Sequence, residues 1–447
     1  MDRITTQMKR HAGMLLREAV RAVQPRCLIR NYMKMKGPRL HIGADILDTG
    51  AFKHIYIIGT GKATAAMALE TARILGTRLT GGVITVKYGH GIDIPNITTM
   101  EAGHPVVDEN SLSGTERILA CAGDAGQDDL VICLISGGGS ALLEALPDNI
   151  SLKDMQCAHR LLLASGAPIS EVNTVRKHLS RVKGGRLAEA VSPASCITLI
   201  LSDIIGDPVD AIASGPTTPD PTRFEDALNV IHRHCLAENL PRSIMDHIER
   251  GCRNLVPETP KAGDPLFQKI QNHIIGNNEA ALEAARAKAI SLGYNTSVLT
   301  SCMEGESREV SAYVTDIVKR IQSENAPVIK PACLLMGGET TVTLTGGGKG
   351  GRNQEMALAA LMAMQESRGS YLIACIGTDG TDGPTDAAGG MAFPEIAARS
   401  EKLGLNPADY LQDNNAYPFL EKTGGLIKTG PTGTNVMDIV VALVPGP

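Results

Sequence analysis

The chain has 447 residues, enough for two or three domains with buried cores, which excludes a peptide ligand or a stapled mini-protein. Its 43 Lys and Arg against 48 Asp and Glu give a net charge of −5 without long single-sign runs, so it is not built to hold nucleic acid by bulk charge. Aromatics are 3% with no Trp, which argues against stacking platforms for bases or sugars, and no apolar run approaches the roughly 20 residues that span a bilayer.

From Met1 to Lys36 the chain is rich in Arg and Lys, but Asp2, Glu18 and the lack of a Ser-rich composition argue against a transit peptide. Met14, Leu15, Ala19 and Val23 fall at helical spacing and predict an amphipathic first helix. Strands are predicted at His54 to Gly59, Gly82 to Val86, Leu130 to Ser136 and Cys196 to Ser202. Helices fill the gaps at Lys62 to Leu75, Leu152 to Ala164 with a cap at Ser151, and Glu171 to Val191. His232, Arg233, His234 and Cys235 form the densest metal-like cluster, yet they lie in a helical pattern that begins near Phe224 and read as one of its faces.

The polar, Pro-bearing stretch from Arg250 to Pro265 predicts the domain boundary, separating residues 1–250 from residues 265–447. Strands then follow at Asn272 to Gly276, Thr296 to Leu299, Ala332 to Met336, Val342 to Leu344, Tyr371 to Ile376 and Asp438 to Val444. Helices are predicted at Glu279 to Leu292, Glu306 to Ser323 and Asn353 to Gln365. The alternation predicts an α/β protein of two Rossmann-like domains with mainly parallel sheets. The ten cysteines form no CxxC pair and no zinc spacing, so they read as reduced thiols of a cytoplasmic protein.

Glycine is the strong deviation, 47 residues where average usage would give about 31, and it gathers after predicted strands, where open α/β sheets bind ligands. Gly59-Thr60-Gly61-Lys62 has the context of a dinucleotide turn, but Thr64 stands where the third glycine would be. The strand about 20 residues on ends in Val86-Lys87-Tyr88 without an acid, which disfavours NAD and leaves NADP open. A tight turn and a phosphate site both remain open for these glycines, and Lys62 beside a helix N-terminus favours the phosphate. Ser136-Gly137-Gly138-Gly139-Ser140 leaves the backbone free to wrap N–H groups around an oxyanion. It is neither a nucleophile elbow nor a Walker A loop. In the second half, Gly337-Gly338-Glu339 and the run from Gly346 to Asn353, with Arg352, have the same character. Asp379, Asp382 and Asp386 offer carboxylates that suit Mg²⁺ or serve as Asp-Gly turns.

GTGKA (Gly59 to Ala63), SGGGSALLE (Ser136 to Glu144), NTVRKHLSRVKGGRLA (Asn173 to Ala188), LSDIIGD (Leu201 to Asp207), ASGPT (Ala213 to Thr217), GGET (Gly337 to Thr340), GGRNQE (Gly350 to Glu355), GTDGTDGPTDAAG (Gly377 to Gly389) and GPTGTNVMD (Gly430 to Asp438) together resemble the glycerate 2-kinases, or MOFRL family. The resemblance runs from about residue 10 to the C-terminus. It implies two α/β domains with an active-site cleft between them, and phosphorylation of D-glycerate at its 2-hydroxyl by ATP with Mg²⁺. It further implies that Lys62 and Arg352 act on the transferring phosphoryl group, which suits a reaction limited by positioning and charge cancellation. Asp203 is the candidate base for the 2-hydroxyl, with Mg²⁺ ligation as its rival role. Gly59, Gly61, Ser136, Gly137, Gly138, Gly139, Ser140, Glu339 and Asn353 are the candidate binding residues. Asn173, Arg176 and Lys177 join them as groups that could hold a carboxylate or phosphate. Asp379 and Asp382 are the candidate metal ligands. The rival reading is an NAD(P)H-dependent hydroxypyruvate reductase, a label that some relatives have carried. Small molecules, neither nucleic acid nor membrane, are the expected partners, and a homo-oligomer is left open.

Overall fold

Leu130–Ile135 reads LVICLI and every one of its residues is buried, as expected of a parallel strand covered on both faces. It belongs to a unit made of Leu28–Ser202 and Asp207–Ile275, here called the central unit; Met1–Cys27, Asp203–Gly206 and Gly276–Pro447 make up the terminal unit. The computed structural model describes residues 3–365, 367 and 369–446.

The central unit opens with a three-stranded antiparallel sheet, β1 (Met33–Lys36), β2 (Arg39–Ile42) and β3 (Asp45–Asp48). Its main sheet contains β4 (Ile55–Thr60), β5 (Gly81–Lys87), β6 (Ile97–Ala102), β7 (Leu130–Ile135), β8 (Ser195–Leu201) and β9 (Ile270–Gly276) in the order β6-β5-β4-β7-β8-β9. The ladders β5/β6, β4/β5, β4/β7 and β7/β8 are all parallel. The order runs one way from β4 to β6 and the other way from β7 onward, so the chain switches direction between β4 and β7. Loops leaving the carboxyl ends of two strands on either side of such a switch diverge and leave a crevice. Helices Leu152–Ala164, Ile169–His178, Phe224–Arg233 and Arg242–Cys252 enclose a separate apolar cluster that includes Met155, Leu162, Val175, Phe224 and Ile244.

In the terminal unit, β10 (Asn295–Met303), β11 (Ala332–Gly338), β12 (Leu372–Gly377), β13 (Gly389–Ala392), β14 (Leu426–Ile427) and β15 (Asp438–Val444) are ordered β10-β11-β15-β12-β13-β14. From β6 to β8 the central sheet is parallel. In this second sheet only β10/β11 is parallel, because β15 enters antiparallel between β11 and β12 and is followed outward by antiparallel β13 and β14.

Several expectations are corrected. Asn272 to Gly276 does not start the second domain: β9 is the sixth strand of the central sheet, where Asn272 exchanges hydrogen bonds with Thr217. The division therefore falls after Ile275 and not between Arg250 and Pro265. The first helix, Arg3–Ala22, belongs with the terminal unit. There His11 meets Tyr294 at 2.9 Å and Thr434 donates to the Val23 carbonyl. The stretch from Glu171 to Val191 is two helices, Ile169–His178 and Arg186–Val191, since Gly184 and Gly185 take positive φ of 58° and 86° between them. Val342 to Leu344 forms no strand; the nearby bridge pairs Thr341 with Glu306. The four residues from His232 to Cys235 end the helix Phe224–Arg233, with His234 and Arg233 both bonded to Glu171.

One ion pair of the central unit is wholly buried: Lys183 Nζ lies 2.6 Å from Glu144 Oε2 and 2.8 Å from the Leu143 carbonyl, with neither side chain exposed. Burial lowers the pKa of both Lys183 and Arg176, with Glu144 the carboxylate that opposes it. Glu144→Gln, nearly the same shape, strands two buried cations. Its cost is expected to be about 3–5 kcal/mol, read as a lower urea midpoint at unchanged m-value.

Candidate active site

At the switch between β4 and β7 the turn Gly61-Lys62-Ala63 is locked to the loop that follows β7. Lys62 N–H donates to the Gly137 carbonyl at 2.9 Å, and Ser136 Oγ accepts from Ala63 N–H at 3.0 Å. The Thr64 and Ser136 hydroxyls meet at 3.1 Å. Ser136 thus caps the helix Thr64–Leu75, whose start carries no cap of its own, and it takes the place a dinucleotide pyrophosphate would need. Gly61 explains itself here. Its φ is 129°, and a Cβ on it would sit 2.2 Å from Ser136 Oγ.

The N–H groups of Gly137, Gly138, Gly139 and Ser140 meet no acceptor among the described residues. Gly138 is left-handed at φ 83°, and a Cβ there would fall 3.0 Å from His104 Nε2 and 3.2 Å from Lys62 Cε, so two basic side chains converge on one glycine. His104 follows β6 by two residues, and Lys87 ends β5 in register with Ala102. His90 Nδ1 touches the Lys62 carbonyl at 2.9 Å. Neither Lys62 nor Lys87 has a salt bridge among the described residues. Burial first, then Lys62, Lys87 and His90, push the His104 pKa down to about 4. The crevice is therefore lined by two ammonium groups, two imidazoles and unused backbone donors, a surface complementary to an oxyanion.

The same loop reaches a second set of polar groups. Ser140 Oγ meets Ser214 Oγ at 2.9 Å, and Ser214 donates to Asn173 Oδ1. Ala213 and Ser214 hold φ of 51° and 61°, a conformation costing about 1–3 kcal/mol per residue and concentrated at functional sites. Asn173 thus joins the site. Lys177 does not, because it is buried against Asp210 at 3.3 Å and Asp220 at 3.4 Å and pins the segment between them. Arg176 lies beside Glu144, its Nε buried without an acceptor.

In the terminal unit the antiparallel entry of β15 decides the geometry. Its first residue, Asp438, lies beside Gly338 at the end of β11 and Gly377 at the end of β12. Arg352 opens the helix Arg352–Ala363, and its Nε and Nη2 bind Asp438 at 2.5 and 3.0 Å while Nη1 binds Glu339 at 2.7 Å. A guanidinium has five donors; these three bonds leave two. Burial drives the Asp438 carboxyl up to about 6 against the pull of Arg352 and Asn353. Burial would lower the Arg352 pKa, but the bond to Asp438 and the nearby Glu339 raise it. A pocket of about 560 Å³ opens over Arg352, lined also by Glu339, Thr340, Leu344, Gly350 and Pro384, a size common for ligand sites.

Asp382 has a structural task. Its Oδ1 accepts Asn353 N–H at 3.1 Å and its Oδ2 accepts Gln354 N–H at 2.9 Å, so it caps the helix that Arg352 begins. Asn353 faces inward, its amide donating to both Asp382 and Asp438. Gly346, Gly348 and Gly351 serve packing: a Cβ on Gly348 would lie 2.4 Å from Asn415 Cβ and one on Gly351 2.4 Å from Asp382 Cγ. Asp379 Oδ1 holds Thr381 through two bonds in a tight turn. Asp203 is reached by the Asn435 amide at 3.5 Å, and Asn435 in turn by Thr378 Oγ1 at 3.5 Å, which brings Asp203 to the loop that carries Asp379. Among the described residues no three His, Cys, Asp or Glu gather as a metal cage.

Two residues escaped the sequence reading. Asp438 stood inside a recognised motif, but its partner is 86 positions away. His104 follows Ile97–Ala102, whose sequence ITTMEA is largely polar for a strand.

A domain model described as "Domain of unknown function (DUF4147)" matches residues 11–249, and a MOFRL family model matches residues 332–438. A glycerate 2-kinase of Pyrococcus horikoshii is 42% identical over 96% of this chain and 96% of its own. The crystal structure of a glycerate kinase from Thermotoga maritima superposes with a TM-score of 0.87 at 38% identity, covering 98% of this chain and 100% of the other. A relative from Agrobacterium vitis, 41% identical over 87% of this chain and 86% of its own, is provisionally named a hydroxypyruvate reductase.

Gly138→Ala tests the crevice directly, since its methyl enters between His104 and Lys62 at a left-handed residue. The expected outcome is at least a tenfold weaker affinity for sulfate by calorimetry. The accompanying stability loss should be about 1 kcal/mol.

Proposed function

As the chain belongs to the glycerate 2-kinase family, we propose that it transfers the γ-phosphoryl group of ATP to the 2-hydroxyl of D-glycerate, giving 2-phosphoglycerate, ADP and a proton. The observation that carries this reading is the crevice at the β4/β7 switch, where Lys62 and Lys87, with no salt bridge among the described residues, stand beside four unused N–H groups. Such a site favours a group whose negative charge must be held and cancelled, which is most of what phosphoryl transfer asks of a protein.

In this reading Lys62 neutralises oxygens of the transferring group, with the backbone of Gly137 to Ser140 as donors beside it. Arg352 supplies its two remaining N–H donors, its plane fixed by Asp438 and its third edge by Glu339. Held in this way, the guanidinium needs no reorganisation as charge develops. Asp203 is the group proposed to accept the proton of the 2-hydroxyl, and metal ligation remains its rival role.

Mg²⁺ commonly arrives on nucleotide phosphates and needs only one or two carboxylates from the protein. Asp382 does not fit that need, because both of its oxygens are bonded to the helix it caps. Asp203 and Asp379, on segments linked through Asn435 and Thr378, are the carboxylates that would hold it. Bound there, the ion would supply charge cancellation at the phosphates.

A dinucleotide-dependent reductase fits the geometry poorly. Its pyrophosphate would need the N-terminus of Thr64–Leu75, which Ser136 already caps. No helix among the described residues is long and apolar enough to cross a membrane.

Incubation with ATP, Mg²⁺ and D-glycerate should yield 2-phosphoglycerate, identified by ³¹P–¹H NMR. 3-Phosphoglycerate alone, or NADPH oxidation with hydroxypyruvate in place of kinase activity, refutes the reading. Lys62→Ala and Arg352→Ala should each lower kcat by about 10² or more in folded protein, with little rescue by Arg352→Lys, whose point charge cannot reproduce the fork. Asp438→Asn should reduce kcat by about tenfold while KM for glycerate changes less, because it frees Arg352 without removing it. Asp203→Asn separates its two roles: activity restored by excess Mg²⁺ assigns a ligand, and loss at every Mg²⁺ concentration assigns the base.

A further inference from the structure

His104 has no part in the chemistry above, yet it occupies the middle of the crevice. Its Nε2 and the Lys62 Cε lie on the same face of Gly138. Lys87 reaches this region along the β5/β6 ladder, in which it pairs with Ala102 and Tyr88 N–H donates to the Ala102 carbonyl at 3.2 Å. His90 comes from the loop after β5 and rests on the Lys62 carbonyl. Two acids lie on the neighbouring segments and keep their charge while accepting hydrogen bonds from neutral donors. Glu101 accepts the N–H groups of Gly89 and Gly91, and Asp108 accepts the Tyr88 hydroxyl and the Ser111 N–H. The charged and titratable groups facing His104 are thus Lys62 from the β4 turn, Lys87 from β5 and His90 from the loop beyond it.

We infer that His104 is a substrate-contacting residue whose ring takes up a proton when an oxyanion enters the Lys62 crevice, so that anion binding there is coupled to proton uptake. The inference rests on the assignment of this crevice to the acid substrate or its phosphoryl group. Its physical basis is the imbalance of charge. Partial burial first, and then the ammonium groups of Lys62 and Lys87, hold the free imidazole neutral down to about pH 4. An entering carboxylate or phosphoryl oxygen cancels that repulsion and accepts a hydrogen bond, two effects that each favour the charged ring. The sign follows directly: with the cationic form favoured only in the complex, the pKa is higher bound than free, and binding draws a proton from solvent between the two values. An opposite charge at contact raises such a pKa by roughly 1–3 units, so binding at pH 5.5 should take up about 0.2–0.9 proton. The neutral ring can in turn donate or accept a hydrogen bond in the free enzyme without adding a third positive charge to the crevice.

Isothermal titration of the full chain at pH 5.5, in two buffers of different ionisation heat, measures this uptake. D-glycerate presents a carboxylate and sulfate stands in for a phosphoryl group, so the two titrations report which anion the residue serves. Wild type should take up a fraction of a proton with at least one of them, the exposed His232→Gln should retain it and His104→Gln should lose it. Selective ¹⁵N labelling of the eleven histidines reads the same step without substitution, as one imidazole moving from neutral to cationic shifts on ligand addition. Uptake that persists in His104→Gln, or binding without any uptake in wild type, overturns the inference. Uptake with sulfate but no binding of D-glycerate keeps the role of His104 and rejects the glycerate reading instead.

Discussion

The carboxylate of Asp438 takes two bonds from Arg352 and one from Asn353, and it opens the strand that lies between β11 and β12. Because β15 runs against its neighbours, its beginning coincides with their ends, and the loops after both strands are registered on this one buried group. Were β15 parallel, its first residue would lie at the opposite edge of the sheet and Arg352 would have no anchor. The helix of Arg352 is held from its other side by Asp382. Glu339, Arg352 and the loop from Gly377 to Gly383 therefore form one bonded assembly, built on backbone register as much as on side chains.

The central unit solves the converse problem. It gathers Lys62, Lys87, His90 and His104 around one crevice, with no salt bridge to either lysine among the described residues, so their like charges repel. A fold stabilised only for its own sake would have no reason to carry that cost. Partial relief comes from keeping His104 neutral, and the rest is left for a ligand to provide. Elsewhere in the same unit buried cations are matched with care, Lys183 by Glu144 and Lys177 by Asp210 and Asp220.

What could be read in advance was whatever depends on local pattern. β7, β8, β11 and β15 are aliphatic runs with both faces covered, and Leu152–Ala164 with its Ser151 cap lies where its signals place it. The misread elements depend on partners distant in sequence. β6 is an edge strand with only its end residues buried, so it lacks an apolar signature, and His104 was passed over with it. The direction of β15 leaves no mark on its composition, since a central antiparallel strand is as apolar as a parallel one. The glycine run before Arg352 had the look of a phosphate loop, yet its glycines admit the backbone of Asp413 to Asn415. The charge of Lys177 on its helix and of Asp382 in its Gly-rich loop is plain in the sequence, but only the three-dimensional arrangement shows that each is already bonded within the protein.

The partition of the chain has a bearing on how it is made. Arg3–Ala22 belongs to a unit whose remaining residues, apart from Asp203–Gly206, begin at Gly276. At a synthesis rate of about 5–20 residues per second, the first helix waits on the order of 15–50 s for the helix Asn278–Ser291 to emerge. Leu15, Leu16 and Ala19, buried in the finished protein, are unsatisfied throughout that interval, while the central unit can complete its sheet as soon as β9 is translated. The apolar face of the first helix is thus translated long before the elements that bury it.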